Sequence, residues 1–309
     1  MPRALILAHH DQEGLIDPHV IEALQIYRRL VDRLVVVSTA ADSLPPAAAE
    51  LVDDFLARPN EGYDFCSWKL GLEQFALPEE FDEIVFCNDS VYGPLCNGEQ
   101  LLDDPRVEDA DLWGMVRSTQ GPKCRGNVDC PHLQSWFFVM RKRAIRSPAF
   151  SSFWNSVQPL PTKQDVIDEY EIGLSETFAH AGLTLRAIYD AATASDGSAT
   201  VWHDLAPHLS LAWSRLSQSW RLLRKARRRR INPTELLPLK VINAGVPFLK
   251  VGVFRVNHYG LDLDYVRRQL AERKHAGQIA YDMTLIDDHL QRLQAAGEAR
   301  SSGLTSRRI

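Results

Sequence analysis

The chain has 309 residues and a formal net charge of −5, with 45% of residues hydrophobic and 24% charged. These are ordinary globular proportions that exclude a wholly disordered chain, and the length suits one large domain or two modest ones. No apolar run approaches the ~18 residues of a membrane span, the start MPRALILAHH lacks a secretory layout, and five scattered cysteines read as reduced thiols. A cytoplasmic chain is expected.

Ala4 to Ala8 is apolar and predicts a first buried strand, with His9, His10 and Asp11 at its end. Asp17-Pro18 is a helix start, an N-cap followed by proline. Val20, Ala23, Leu24, Tyr27, Leu30 and Val31 then recur at helical spacing. Leu34 to Val37 is a second strand, giving a β-α-β unit and a right-handed parallel crossover. Pro45 and Pro46 mark a loop, and Tyr63 to Phe75 predicts a helix with Phe65, Trp68, Leu72 and Phe75 on one face.

Ile84 to Cys87 is a continuous apolar run, as expected of a strand buried on both faces. Asn88, Asp89 and Ser90 follow at its carboxyl end, where ligands bind in open α/β sheets. By composition alone the same three residues are a turn. Further strands are predicted over Asp111 to Val116, Ser135 to Met140 and Leu183 to Tyr189. Ser118 to Pro131 reads as a loop, Phe150 to Trp154 as a short helix, and Asp165 to Ala181 as a longer one ending at Gly182. Cys124, Cys130 and His132 match no standard zinc spacing.

Ser195 to Thr200 is a small-residue stretch and a boundary. Two regions follow from it, an α/β region over 1–194 and a mainly helical region over 195–309. Leu209, Trp213, Leu216, Trp220 and Leu223 form an apolar stripe, and Arg227 to Arg230 crowd the end of that segment. A basic amphipathic helix over about 209–230 fits an anionic membrane surface, and equally a helix packed on the core. No nucleic-acid partner is expected, because no second basic stripe accompanies this cluster. Leu261 to about Ala296 is helical by periodicity, and Arg300 to Ile309 is expected to be disordered.

Several strings resemble the rhamnan synthesis protein F family. They are RPNEGYDFCSWKLGL at 58–72, FCNDSVYGPL at 86–95, HLQSWFFVMRK at 132–142 and YEIGLS at 170–175, with HHD at 9–11 and PFLKV at 247–251. Cys66 departs from the small residue common in that family. The resemblance implies a glycosyltransferase that builds rhamnose-containing surface polysaccharide from a nucleotide sugar, working at the inner face of the cytoplasmic membrane on a polysaccharide or lipid-linked glycan. A more distant similarity to inverting GT-A enzymes implies a Rossmann-related mixed sheet flanked by helices. In those enzymes a D-x-D-like motif ends a strand and a later carboxylate on a helix is the base.

By that similarity Asn88, Asp89 and Ser90 take the D-x-D place and Glu171 the base, with Asp165, Asp168 and Glu169 as rivals. Asp89 is the candidate ligand for a magnesium or manganese ion, although one carboxylate between Asn and Ser makes a poor site for a hard cation. His10, Asp11, Arg58, Asn60, Asp64 and Lys69 complete the donor set. Arg58 and Lys69 are candidates for direct phosphate contact, and Asp64 for nucleotide contact or a helix cap. His132, Gln134 and Trp136 are assigned to the acceptor, with Trp136 and Trp113 also fitting the core. Two other classes remain: a non-catalytic glycan-binding or assembly subunit, and a nucleotide-using oxidoreductase. The second is disfavoured because HHDQEG, not G-x-G-x-x-G, follows the first strand.

Overall fold

The computed structural model describes residues 1–119, 130–191, 204–209, 217, 219–220 and 232–305, with side chains through 297. In chain order the elements are β1 (Arg3–His9), α1 (Pro18–Arg28), β2 (Arg33–Ser38), α2 (Pro46–Ala49), β3 (Asp54–Ala57), α3 (Tyr63–Leu72), β4 (Glu83–Asn88), β5 (Val91–Tyr92), β6 (Leu112–Ser118), β7 (His132–Leu133) and β8 (Phe137–Arg141). Then come α4 (Lys142–Ile145), α5 (Pro148–Ser156), α6 (Lys163–Val166), a π-helical turn (Ile167–Ile172), α7 (Gly173–His180) and β9 (Leu185–Asp190). The last part holds α8 (Pro233–Leu236), α9 (Pro238–Asn243), β10 (Leu249–Lys250), α10 (Val251–Arg255), α11 (Leu263–His275) and α12 (Thr284–Thr305).

An eight-stranded mixed sheet in the order β3-β2-β1-β4-β8-β6-β7, with β9 also on β6, forms the centre. The fold is the expected α/β class. Strands β3, β2, β1 and β4 are parallel, and β8 runs against both β4 and β6. Each central strand has side chains buried on both faces. Ala4, Ile6, Ala8, Val35, Val37, Ile84 and Phe86 enter one apolar cluster, and Leu5, Leu7, Leu34, Val36, Val85 and Cys87 enter the other. Period-two alternation is therefore invisible in the sequence, and the runs read as uniformly apolar.

Helix α3 lies close on β1. A Cβ on Gly71 would stand 2.5 Å from Ile6 Cγ2, so only glycine allows this approach without displacing Ile6. Trp68 donates its indole N–H to the Cys87 carbonyl at 2.9 Å and fixes the helix to the end of β4. A third cluster joins Tyr92 and Leu95 to Leu236, Leu249, Val253, Leu270, Tyr281 and Ile286, so the described C-terminal residues pack on the loop that follows β4. β10 pairs antiparallel with β5, placing Lys250 opposite Val91.

One strand went unread, and two expectations need correction. β3 was hidden, being a four-residue strand whose side chains are only partly buried and which pairs with β2. The helix expected over Asp165 to Ala181 begins at Lys163, with Thr162 and Asp165 in a reciprocal capping box, and widens into the π turn. The last helix continues to Thr305, where disorder was expected from Arg300. Most of the basic segment at 209–230 and of the 118–131 loop lies outside the described residues.

Candidate active site

The strand order reverses at β1, which has β2 on one side and β4 on the other. A crevice opens beyond the carboxyl ends at such a switch point. Here it is a cleft of about 450 Å³. The β1 end contributes His9, His10 and Asp11, the β4 end contributes Asn88, Asp89 and Ser90, and α3 with its preceding loop contributes Asn60 and Asp64. The backbone N–H of His10 donates to Asp89 Oδ2 at 2.7 Å, which ties the two strand ends together across the switch. Seven of the nine expected donor contacts therefore share one cleft.

The three-residue string after β4 works as a connected unit. Asn88 Nδ2 donates to Asp64 Oδ2 at 2.7 Å, while Asn88 Oδ1 accepts from the Ser90 backbone N–H at 3.1 Å and from the Ser90 hydroxyl. Lys250 Nζ donates to Ser90 Oγ at 2.7 Å and lies 5.6 Å from the centre of the Trp136 ring. Burial pushes the Asp89 carboxyl up to about 7, with the Asp64 charge adding to the effect. Burial likewise raises Asp64, and it brings Lys250 down to about 8 against the pull of Glu171 and Glu235. Lys163 and Arg255 line the same cleft. It thus combines carboxylates that are costly to ionise with a cluster of cations.

Arg58 and Lys69 do not line the cleft. Arg58 binds the Ser67 hydroxyl at 2.8 Å and the carbonyls of Tyr63 and Glu61, closing the loop that enters α3. Lys69 donates to the Val157 carbonyl at 2.7 Å, just beyond the end of α5. Arg58 is spent on a hydroxyl and two carbonyls and Lys69 on a carbonyl, which the charge pattern alone cannot reveal. His132, Gln134 and Trp136 are buried and form scaffold contacts in place of the expected acceptor surface. Trp136 Nε1 donates to Gln134 Oε1 at 2.8 Å, Gln134 Nε2 donates to Asn232 Oδ1 at 2.8 Å, and His132 Nδ1 pairs with the Cys130 carbonyl at 2.7 Å. Trp113 is likewise a core residue.

Glu171 sits on the π turn, beside the cleft but not among its lining residues. It acts electrostatically on Lys250 and Asp64, both of which line it. Its Oε2 accepts from the Ser135 backbone N–H at 2.9 Å and from the Ser135 hydroxyl, and its Oε1 is 3.5 Å from His132 Nε2. Burial would raise this carboxyl, but His132 and the two Ser135 donors outweigh it and hold it near 2. Its side chain keeps 18% of its surface exposed. Asp165 instead caps α6, and Asp168 accepts from Gln164.

The family model for rhamnan synthesis protein F matches residues 34–209, more than half of the chain. The chain belongs to that family. The virulence protein VirA of Vibrio anguillarum is 29% identical over 217 residues, covering 67% of this chain and 64% of that protein. The chain thus spans just under two thirds of that relative's length. Among solved structures, glucosyl-3-phosphoglycerate synthase of Mycobacterium tuberculosis, determined with Mn2+, UDP and phosphoglyceric acid, aligns with TM-score 0.37 at 15% identity. That alignment covers 61% of this chain and 68% of the synthase. A CMP:2-keto-3-deoxy-manno-octonic acid synthetase complexed with CTP aligns with TM-score 0.35 at 9% identity, covering 62% and 91%.

Lys250, Lys163, Arg255 and Glu235 were missed as cleft residues by sequence reading. Lys250 carried a signal, since it stands in the PFLKV string that resembles rhamnan synthesis protein F. Its role depends on the β10–β5 pairing, which brings it beside Ser90 from 160 residues away. Arg292 was also missed. It reaches from α12 to Asp11 at 2.6 Å, Glu13 at 2.7 Å and both oxygens of Asp17. Asp17 stands at the N-cap position of α1, yet its side chain makes no capping hydrogen bond. Its carboxylate is turned to Arg292 instead.

Proposed function

We propose that the protein moves a sugar, rhamnose or a related deoxysugar, from a nucleotide-activated donor to a growing surface glycan by a single inverting displacement. The observation that carries this reading is the cleft at the β1/β4 switch point, where Asp89 and Lys250 are both cleft-lining residues. A departing nucleoside diphosphate needs positive charge placed before the bond breaks. Lys250, Lys163 and Arg255 supply it from the chain itself. The donor diphosphate lies against these cations, with Asn60, Asp64 and the Asn88–Ser90 unit orienting nucleotide and sugar.

A magnesium or manganese ion at the same place would be held by Asp89. Burial makes the charge on Asp89 costly, and an ion would offset that cost. Asn88 and Ser90 do not complete the ligand set, because their oxygens are engaged with each other and with Lys250. When bound, such an ion would add charge against the diphosphate.

Glu171 is the base in this reading. A π turn within a helix is a frequent mark of a functional position, and this one places Glu171 within electrostatic reach of Lys250. A carboxyl held near 2 is ionised at every working pH but is a mild proton acceptor. Its contribution therefore belongs at the low end of the ~10²–10⁴-fold range for general bases. The acceptor is a polysaccharide or lipid-linked glycan at the cytoplasmic membrane surface.

The test is Glu171→Gln assayed for sugar transfer and, separately, for donor binding. Transfer is expected to fall ~10²-fold while donor affinity stays nearly unchanged. Unaltered turnover would remove Glu171 as base. Donor binding by the wild type without transfer or hydrolysis would favour a glycan-assembly subunit.

A further inference from the structure

Asp17, His19 and His289 come together where the start of α1 meets α12. One ligand-type atom from each lies within 4.8 Å of the others. All three are buried, and all three line the cleft. His19 is the informative member. It is 4% exposed, and neither of its ring nitrogens has a hydrogen-bond partner. Buried polar groups are nearly always paired, and an orphan is costly to keep. The imidazole instead stacks on His289 with ring centres 4.3 Å apart.

The surroundings of the other two members are those of supported ligands. His289 Nδ1 is 2.9 Å from the Tyr92 hydroxyl, leaving Nε2 3.7 Å from Asp17 Oδ2. Asp17 is held by Arg292, whose Nε donates to Oδ1 at 2.9 Å. A carboxylate has about four lone-pair sites, so this ion pair leaves room for a further ligand bond. Metal-binding histidines and carboxylates are commonly oriented by such outer hydrogen bonds.

We propose that Asp17, His19 and His289 form a binding site for one divalent transition-metal ion of the zinc class, which fastens α12 to the start of α1. Two imidazoles and one carboxylate suit zinc, cobalt or iron better than magnesium, which prefers oxygen ligands and water. Three protein ligands leave a coordination position open toward the cleft. The site is separate from the Asp89 position and stands whether or not the sugar-transfer reading holds.

The 309-residue chain, stripped with a chelator, is titrated with Zn2+, Co2+ and Mg2+. One Co2+ per chain should bind with a visible d–d absorption band. Saturating Zn2+ should raise the melting temperature by ~5 °C, and Mg2+ should do neither. X-ray absorption of the zinc-loaded wild type should show two imidazole ligands, a result that needs no variant. His19→Phe keeps the ring volume and removes the orphan nitrogens. It should fold, lose the Co2+ band and lose the Zn2+ shift, as should His289→Phe. A wild type that takes up no Zn2+ or Co2+, that responds equally to Mg2+, or whose binding survives in both variants would overturn the proposal.

Discussion

At the scale of single residues, Asp89 carries the sharpest consequence. Its carboxyl is pushed up to about 7 in the fold, against an ordinary value of 3.8. Between those values the folded protein holds a proton there that the unfolded chain has released. The linkage slope is then negative, and this contribution to stability declines as pH rises from about 4 through 7. Asp89→Asn should therefore raise the melting temperature less at pH 5 than at pH 8. Scanning fluorimetry at the two values checks it, and an equal shift at both would mean that Asp89 is not buried as described. The same substitution should weaken donor binding ~10-fold or more, an exchange of stability for function. Asp89 was legible as a strand-end carboxylate. The spending of Arg58 and Lys69 on carbonyls was not, because a charge in sequence does not show which acceptor its side chain reaches. Lys69→Met should accordingly leave donor affinity within ~2-fold, since exposed or remote charges contribute little, and a calorimetric loss of ~10-fold or more would restore it to the donor site.

At the scale of elements, β1, β2 and β4 were readable because strands buried on both faces have uniformly apolar runs. Their carboxyl ends, and so most of the donor side of the cleft, followed from that reading. What stayed hidden were short elements whose identity depends on a partner. The two-residue β10 has no periodicity to detect, yet its pairing with β5 delivers Lys250. The π turn at Ile167–Ile172 has a helical pattern and no local marker. Gly71 was read only as part of a family string, while the structure gives it a packing reason. Gly71→Ala places a methyl group against Ile6 Cγ2, and overpacking of this kind costs about 1–3 kcal/mol. A denaturant midpoint unchanged from wild type would show that α3 can move away from β1 freely.

At the scale of the whole molecule, the C-terminal region completes the cleft that the N-terminal strands open. Glu235, Lys250, Arg255 and His289 all line it, and Arg292 grips three carboxylates around the β1–α1 connection. The composition shift near Ser195 suggested an appended helical region, and no sequence periodicity could show that its side chains turn back on the first strand. Arg292→Ala should cost about 3 kcal/mol or more, because it leaves the buried Asp11 and Asp17 without their cation, and chemical denaturation reads this directly. Among the described residues no helix is long and apolar enough to cross a membrane. The central claim is that one cleft, walled by β-strand ends on one side and Lys250 on the other, holds a nucleotide-activated sugar. Titration calorimetry of the wild type, Asp89→Asn and Lys250→Met against a panel of nucleoside diphosphates and their sugars tests it most directly. At least one ligand should bind the wild type and weaken ~10-fold or more in each variant, as loss of a charge-assisted contact requires; a panel that binds nothing, or binds all three proteins alike, would contradict the account.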